Sequence, residues 1–183
     1  SFCTEGMYQN ACATAGITDA DIVVAGPTSI SGTAALVGIF KAYSEMTGQE
    51  IPEDIIDGAL NELVVTGRLE DSISNVDGED LESLIAYLKQ QMVENGLDDE
   101  EGIQDAVDAA CEEYDISLTD EEKAQIMDLL LKLSKLNLDA ATINKAQKLL
   151  DSLTSVTDSG SQIGTFFANL WKAISDFFQN LFG

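Results

Sequence analysis

Asp77-Gly78-Glu79-Asp80-Leu81-Glu82-Ser83-Leu84-Ile85-Ala86-Tyr87-Leu88-Lys89-Gln90-Gln91-Met92 is the stretch that decides the fold class, because it carries a helix start and a helix face together. Asp77 offers a capping oxygen, and Glu79 and Asp80 suit the positive end of a helix dipole. Leu81, Leu84, Ile85, Leu88 and Met92 then recur at three- and four-residue spacing, which is one apolar stripe of an amphipathic helix. The same pattern repeats on both sides. Starts are marked by Pro52 with Glu53 and Asp54, by Asp98 with Glu100 and Glu101, and by Thr119 with Glu122 as a capping box. Stripes follow at Leu60, Leu63 and Val64; at Ile103, Ala106, Val107 and Ala110; at Ile126, Leu129, Leu130 and Leu133; and at Ile143, Ala146, Leu149, Leu150 and Leu153. Short polar loops between such stripes suit antiparallel packing, so the expected class is mainly α, a helical bundle.

Residues 1–50 read differently. Met7, Ala11 and Ala15 share a helical stripe that stops at Gly16, and a second helix starts near Ser31, carries Ala35, Leu36, Ile39, Phe40, Tyr43 and Met46, and stops at Gly48. Between them the β-branched run Ala20 to Ala25, closed by Gly26 and Pro27, predicts a buried strand. The expectation is a small α/β element of one or two strands at the N-terminal end. A partner strand would come from Ser1 to Cys3, from chain upstream of Ser1, or from another copy. The expected organisation is thus an α/β element over 1–50, a bundle over 51–156, a linker over 157–162 and an amphipathic helix over 163–183.

That last segment is the sharpest candidate for an interaction surface. Ile163, Phe166, Phe167, Leu170, Trp171, Ile174, Phe177, Phe178, Leu181 and Phe182 fall on one helical face, opposite Asn169, Lys172, Ser175, Asp176, Gln179 and Asn180. Five of the seven Phe lie in it, and aromatic anchors are typical of partner and membrane interfaces. Docking onto the chain's own bundle is the structural alternative. Lys172 and Asp176 would each cost about 2.5 to 3.5 kcal/mol at a bilayer centre, so the segment would lie on a membrane and not span it.

Composition excludes more than it assigns. Thirty-three acidic against nine basic residues give a formal charge of −24, which repels nucleic acid and anionic lipid. Histidine is absent, so Ser-His and Cys-His pairs, histidine bases and histidine-ligated metals are excluded. The three cysteines Cys3, Cys12 and Cys111 include no C-x-x-C pair. A Cys3 to Cys12 bridge stays open, and Cys111, on a stripe with Val107 and Tyr114, reads as a buried thiol. No metal, cofactor or catalytic residue is assigned. The nearest approach to a calcium loop, Asp71 to Glu82, has Ile73 where an oxygen ligand is needed and Val76 where a turn glycine is needed. The acids Asp98, Asp99, Glu100 and Glu101 allow only weak, nonspecific divalent binding. Gly26 to Thr33 joins the expected strand to a helix start, where Ser31, Gly32 and Thr33 form a weak anion-binding candidate, with Ser31 as an ordinary N-cap the plainer reading. Ser1 to Asn10 has neither the basic start nor the apolar run expected of a signal peptide.

The runs Cys3-Thr4-Glu5-Gly6-Met7-Tyr8-Gln9-Asn10-Ala11, Thr14-Ala15-Gly16-Ile17, Asp21-Ile22-Val23-Val24-Ala25-Gly26-Pro27 and Ser31-Gly32-Thr33-Ala34-Ala35-Leu36 resemble the DUF1002 family of YpuA-like exported proteins of Firmicutes, in the C-terminal portion of those proteins. Ala42-Tyr43, Thr47-Gly48, Glu62-Leu63-Val64-Val65-Thr66-Gly67, the helix from Glu101 to Tyr114 and Ile116-Ser117-Leu118-Thr119-Asp120-Glu121 continue the resemblance. It implies export to the cell envelope or exterior and no particular chemistry, and it implies that strands upstream of Ser1 complete the α/β element. Function is then expected to be non-enzymatic binding through the C-terminal aromatic face to a protein, a second copy or a membrane surface. The alternatives are a fragment of an enzyme or anion-binding protein whose site lies mostly upstream, and an adhesin for a host protein.

Overall fold

The computed structural model describes residues 3–25, 28, 30–74 and 76–146. Helix α1 spans Glu5–Thr14, α2 Gly32–Thr47, α3 Glu53–Ser72, α4 Gly78–Asn95, α5 Glu100–Glu113 and α6 Asp120–Leu133, and residues 140–146 are helical again. Their starts follow the sequence signals closely. The side chains of Ser31, Asp77, Asp99 and Thr119 accept backbone N–H bonds at their helix starts, Thr119 with Glu122 as a full capping box. The acidic first turns of α3, α4, α5 and α6 place negative charge against the exposed N–H groups that open those helices. Gly48 ends α2 and Gly96 ends α4, both in the left-handed conformation that a side chain would strain.

Two apolar clusters hold these helices together, and α3 belongs to both. Met7, Ala11, Leu36, Phe40, Ile55, Ala59 and Leu63 join α1 and α2 to the first half of α3. Leu69 at the far end of α3 packs with Leu81, Ile85 and Leu88 of α4, Ile103 and Val107 of α5, and Ile126, Leu129 and Leu133 of α6. Leu136 and Leu138, after α6, touch both clusters. Residues 1–146 consequently form one compact unit, with α1 lying chiefly along α3.

The helical bundle matches the sequence expectation, whereas the α/β element expected at its N-terminal end is not supported by the described residues. Among the described residues there is no strand. Thr18 to Ala25 makes no backbone hydrogen bond to any other described residue, and extended chain becomes a strand only when a neighbour completes the ladder. Nor is the Ala20 to Ala25 run buried: Ile22, Val23 and Val24 are 41%, 90% and 47% exposed. The chain is free of turns and bends over 20–25, but nothing among the described residues covers its β-branched side chains fully.

Candidate binding groove beside α2

Helix α2 explains why an uncovered apolar surface exists. Ala34, Ala35, Leu36, Val37, Ile39, Phe40, Ala42, Tyr43 and Met46 place apolar groups around most of its circumference, a pattern suited to a helix covered on all sides. Only Ala35, Leu36 and Phe40 are buried. Val37 is 48% exposed and Met46 85%. The loop leaving α1 runs alongside this spare face, so that Ile17, the 20–25 segment and Ile30 form one wall and Ala34, Gly38, Ile39, Ala42, Tyr43 and Met46 the other. The cleft between them has a volume of about 580 Å³, inside the ~300 to 1,000 Å³ range of ligand sites. Asp19 and Asp21 stand in its wall, and Asp19 pairs with Lys145.

The weak anion candidate, Ser31 to Thr33, lies in the chain between the lining residues Ile30 and Ala34 and is not itself part of the lining. Ser31 Oγ accepts the Ala34 N–H at 3.2 Å and lies 3.2 Å from Thr33 Oγ1, and the Gly32 carbonyl accepts the Tyr8 hydroxyl at 3.3 Å. A Cβ on Gly32 would collide with Cys3 Sγ, so glycine here admits α1's leading residues against α2. The three residues start a helix and close on their own hydroxyls. Phe166, Phe167, Leu170, Trp171, Ile174, Phe177, Phe178 and Leu181 lie outside the described residues, as do the 157–162 linker and residues 147–156.

Two polar clusters that the sequence pattern conceals fix α1, and hence the groove, on α3 and α4. Lys89 is 1% exposed, yet its ammonium donates to Glu62 Oε1 at 2.6 Å, the Asn10 carbonyl at 2.8 Å and Thr14 Oγ1 at 3.0 Å. Thr14 Oγ1 donates to Glu62 Oε2 at 2.5 Å, and Asn10 Nδ2 donates to the Glu82 carbonyl at 3.0 Å. All three ammonium protons and both carboxylate oxygens are used, which is what allows such charges to be buried. Beside Glu62, burial pushes the Cys12 thiol up to about 11, leaving it an inert thiol, and Cys3, Cys12 and Cys111 are all free. The open Cys3 to Cys12 pairing is thus not made.

Nearer the start of α1, Thr4 Oγ1 accepts the Met7 N–H at 3.2 Å and donates to Glu82. Glu70 on α3 faces the same Glu82 carboxylate. Burial, reinforced by the facing Glu82, raises the Glu70 carboxyl to about 7, and burial raises Glu82 as well. Glu70 thus keeps its proton well above the pH at which an ordinary carboxyl releases it. A Cβ on Gly6 would run into the Glu82 carboxylate, so this contact requires glycine in the first turn of α1. Lys89 was detectable in principle: it lies four residues after Ile85, on the apolar stripe, in a chain with only nine basic residues. Its partners, from α1 and α3, were not.

Over the described residues these features define a helical domain whose buried Lys89–Glu62 pair is structural and which carries an open, largely apolar cleft at its edge. The chain belongs to the family described as "Protein of unknown function (DUF1002)", which matches residues 1–151. It is similar to "Uncharacterized protein YpuA" of Bacillus subtilis (strain 168), with 35% identity over 184 residues, covering 96% of this chain and 62% of that protein. The chain therefore spans under two thirds of that relative's length. No solved structure matches it.

Proposed function

We propose that this protein is an exported, non-catalytic binding protein that takes an apolar segment of a partner into the groove beside α2. The observation that supports this most is α2 itself, apolar on two faces and covered on one. Each large side chain left in water forgoes roughly 1.5 to 3 kcal/mol, which a partner recovers. The absence of histidine and the full use of Lys89 and Glu62 by each other and by α1 argue for binding over catalysis. The Ser31 to Thr33 turn, occupied by its own hydroxyls, gives little support to an anion-binding enzyme fragment. Export rests on the family resemblance. Among the described residues no helix is long and apolar enough to cross a membrane.

The test is a small apolar probe. An anilinonaphthalene dye should brighten with this protein and shift the NMR signals of Ile22, Val24, Ile39 and Met46, and Ala42→Asp should abolish both effects while circular dichroism stays helical. A dye signal unchanged by Ala42→Asp would refute the groove. A second surface is proposed at Phe166 to Leu181, because the aromatic residues of the 163–183 sequence recur at the three- and four-residue spacing of one helical face. Deleting 163–183 should then reduce liposome association or self-association. Loss of thermal stability with both unchanged would mark that segment as a core element.

A further inference from the structure

We infer that the Ala20 to Ala25 segment is an acceptor edge for strand addition, and that the groove's occupant is an extended polypeptide with apolar side chains at alternate positions and basic flanks. This rests on the groove being a binding surface and names what fills it. Exposure along the segment runs 41%, 90% and 47% for Ile22, Val23 and Val24, the two-residue alternation of a strand, with Ile22 and Val24 more covered than Val23. The chain is unbent there, and its N–H and C=O groups have no partner among the described residues. An acyl chain or a docked helix would cover the apolar side chains and seal those backbone groups away from water without partners, at a large cost. An added strand covers the same side chains and completes the ladder, the established logic of β-augmentation.

Charge decides the source. Two copies of a chain carrying −24 repel each other, and Asp21 in the groove wall would be brought close to its own duplicate. A separate polypeptide with Lys or Arg flanking its apolar positions is instead attracted. The experiment uses the ¹⁵N-labelled full chain and a synthetic peptide, Lys-Val-Thr-Val-Thr-Val-Thr-Val-Lys, with two versions N-methylated at either alternate set of residues.

The unmodified peptide should slow amide exchange at alternate positions within 20–25 by at least about tenfold, and one N-methylated version should lose that protection. Val23→Pro, which removes an N–H from an exposed segment with no internal bond to lose, should weaken peptide binding about tenfold or more in the register that uses this amide, and Val24→Pro should do so in the other. Equal binding of all three peptides without amide protection would overturn strand addition and leave the groove reading standing. Dye entering a groove that no peptide enters would do the same. Failure of peptide and dye together would remove both. A peptide-free dimer by sedimentation, with 20–25 protected in it, would overturn the separate partner in favour of a second copy.

Discussion

Lys89 shows how one residue can carry a disproportionate share of this fold. It sits at the meeting of α1, α3 and α4, where its ammonium serves a carbonyl, a hydroxyl and a carboxylate at once. Replacing it with Met leaves Glu62 buried and charged with only Thr14 for company, and breaking a buried pair in this way costs about 3 to 5 kcal/mol. Lys89→Met should lower the chemical-denaturation stability by that amount. The double variant Lys89→Met, Glu62→Leu should recover a good part of it, because no orphan charge remains. Cost without recovery would mean that the hydrogen bonds to Asn10 and Thr14, and not the ion pair, secure α1.

Among the elements, α2 carries the functional argument, and its two faces should respond differently to substitution. Leu36 is fully buried against α1 and α3, so Leu36→Ala should cost about 2 to 5 kcal/mol. Met46, 85% exposed on the same helix, should tolerate Met46→Ser within about 0.5 kcal/mol while weakening whatever the groove binds. Equal costs measured by thermal unfolding would show Met46 covered in solution. The capping signals at Ser31, Asp77 and Thr119 are local chemistry, one side-chain oxygen reaching an N–H two or three residues on, and so are legible from adjacent residues. At Thr4 the reciprocal partner is the Met7 sulfur, not the Glu or Gln that marks a capping box, and that start is hidden from pattern reading. Residues 20–25 illustrate the opposite error. Their β-branched pattern is a local preference, but a strand is a pairing, and pairing depends on what lies alongside.

For the whole molecule, acidity and the Glu70–Glu82 pair act in the same direction. Glu70 is raised from 4.5 to about 7 in the folded state, so between those values the folded chain keeps a proton that the unfolded chain has released. Stability therefore rises as the pH falls through 7 and levels off near 4.5, and partial neutralisation of the −24 charge relieves self-repulsion over the same range. The melting temperature should be higher at pH 5.5 than at pH 8. Glu70→Gln, which is neutral throughout, should flatten much of that slope, and a slope unaltered by Glu70→Gln would assign it to overall charge alone. By itself the sequence determined the helical class, most helix starts, the glycine stops and the absence of histidine chemistry, because each depends on residues within a turn or two of one another. Tertiary structure alone decided that Lys89, Glu62, Asn10 and Thr14 meet, that Glu70 faces Glu82, and that one side of α2 and the 20–25 run are left uncovered by the other described residues. Those outcomes depend on how helices distant in sequence occupy space around α3, and no local pattern encodes which face will run out of neighbours.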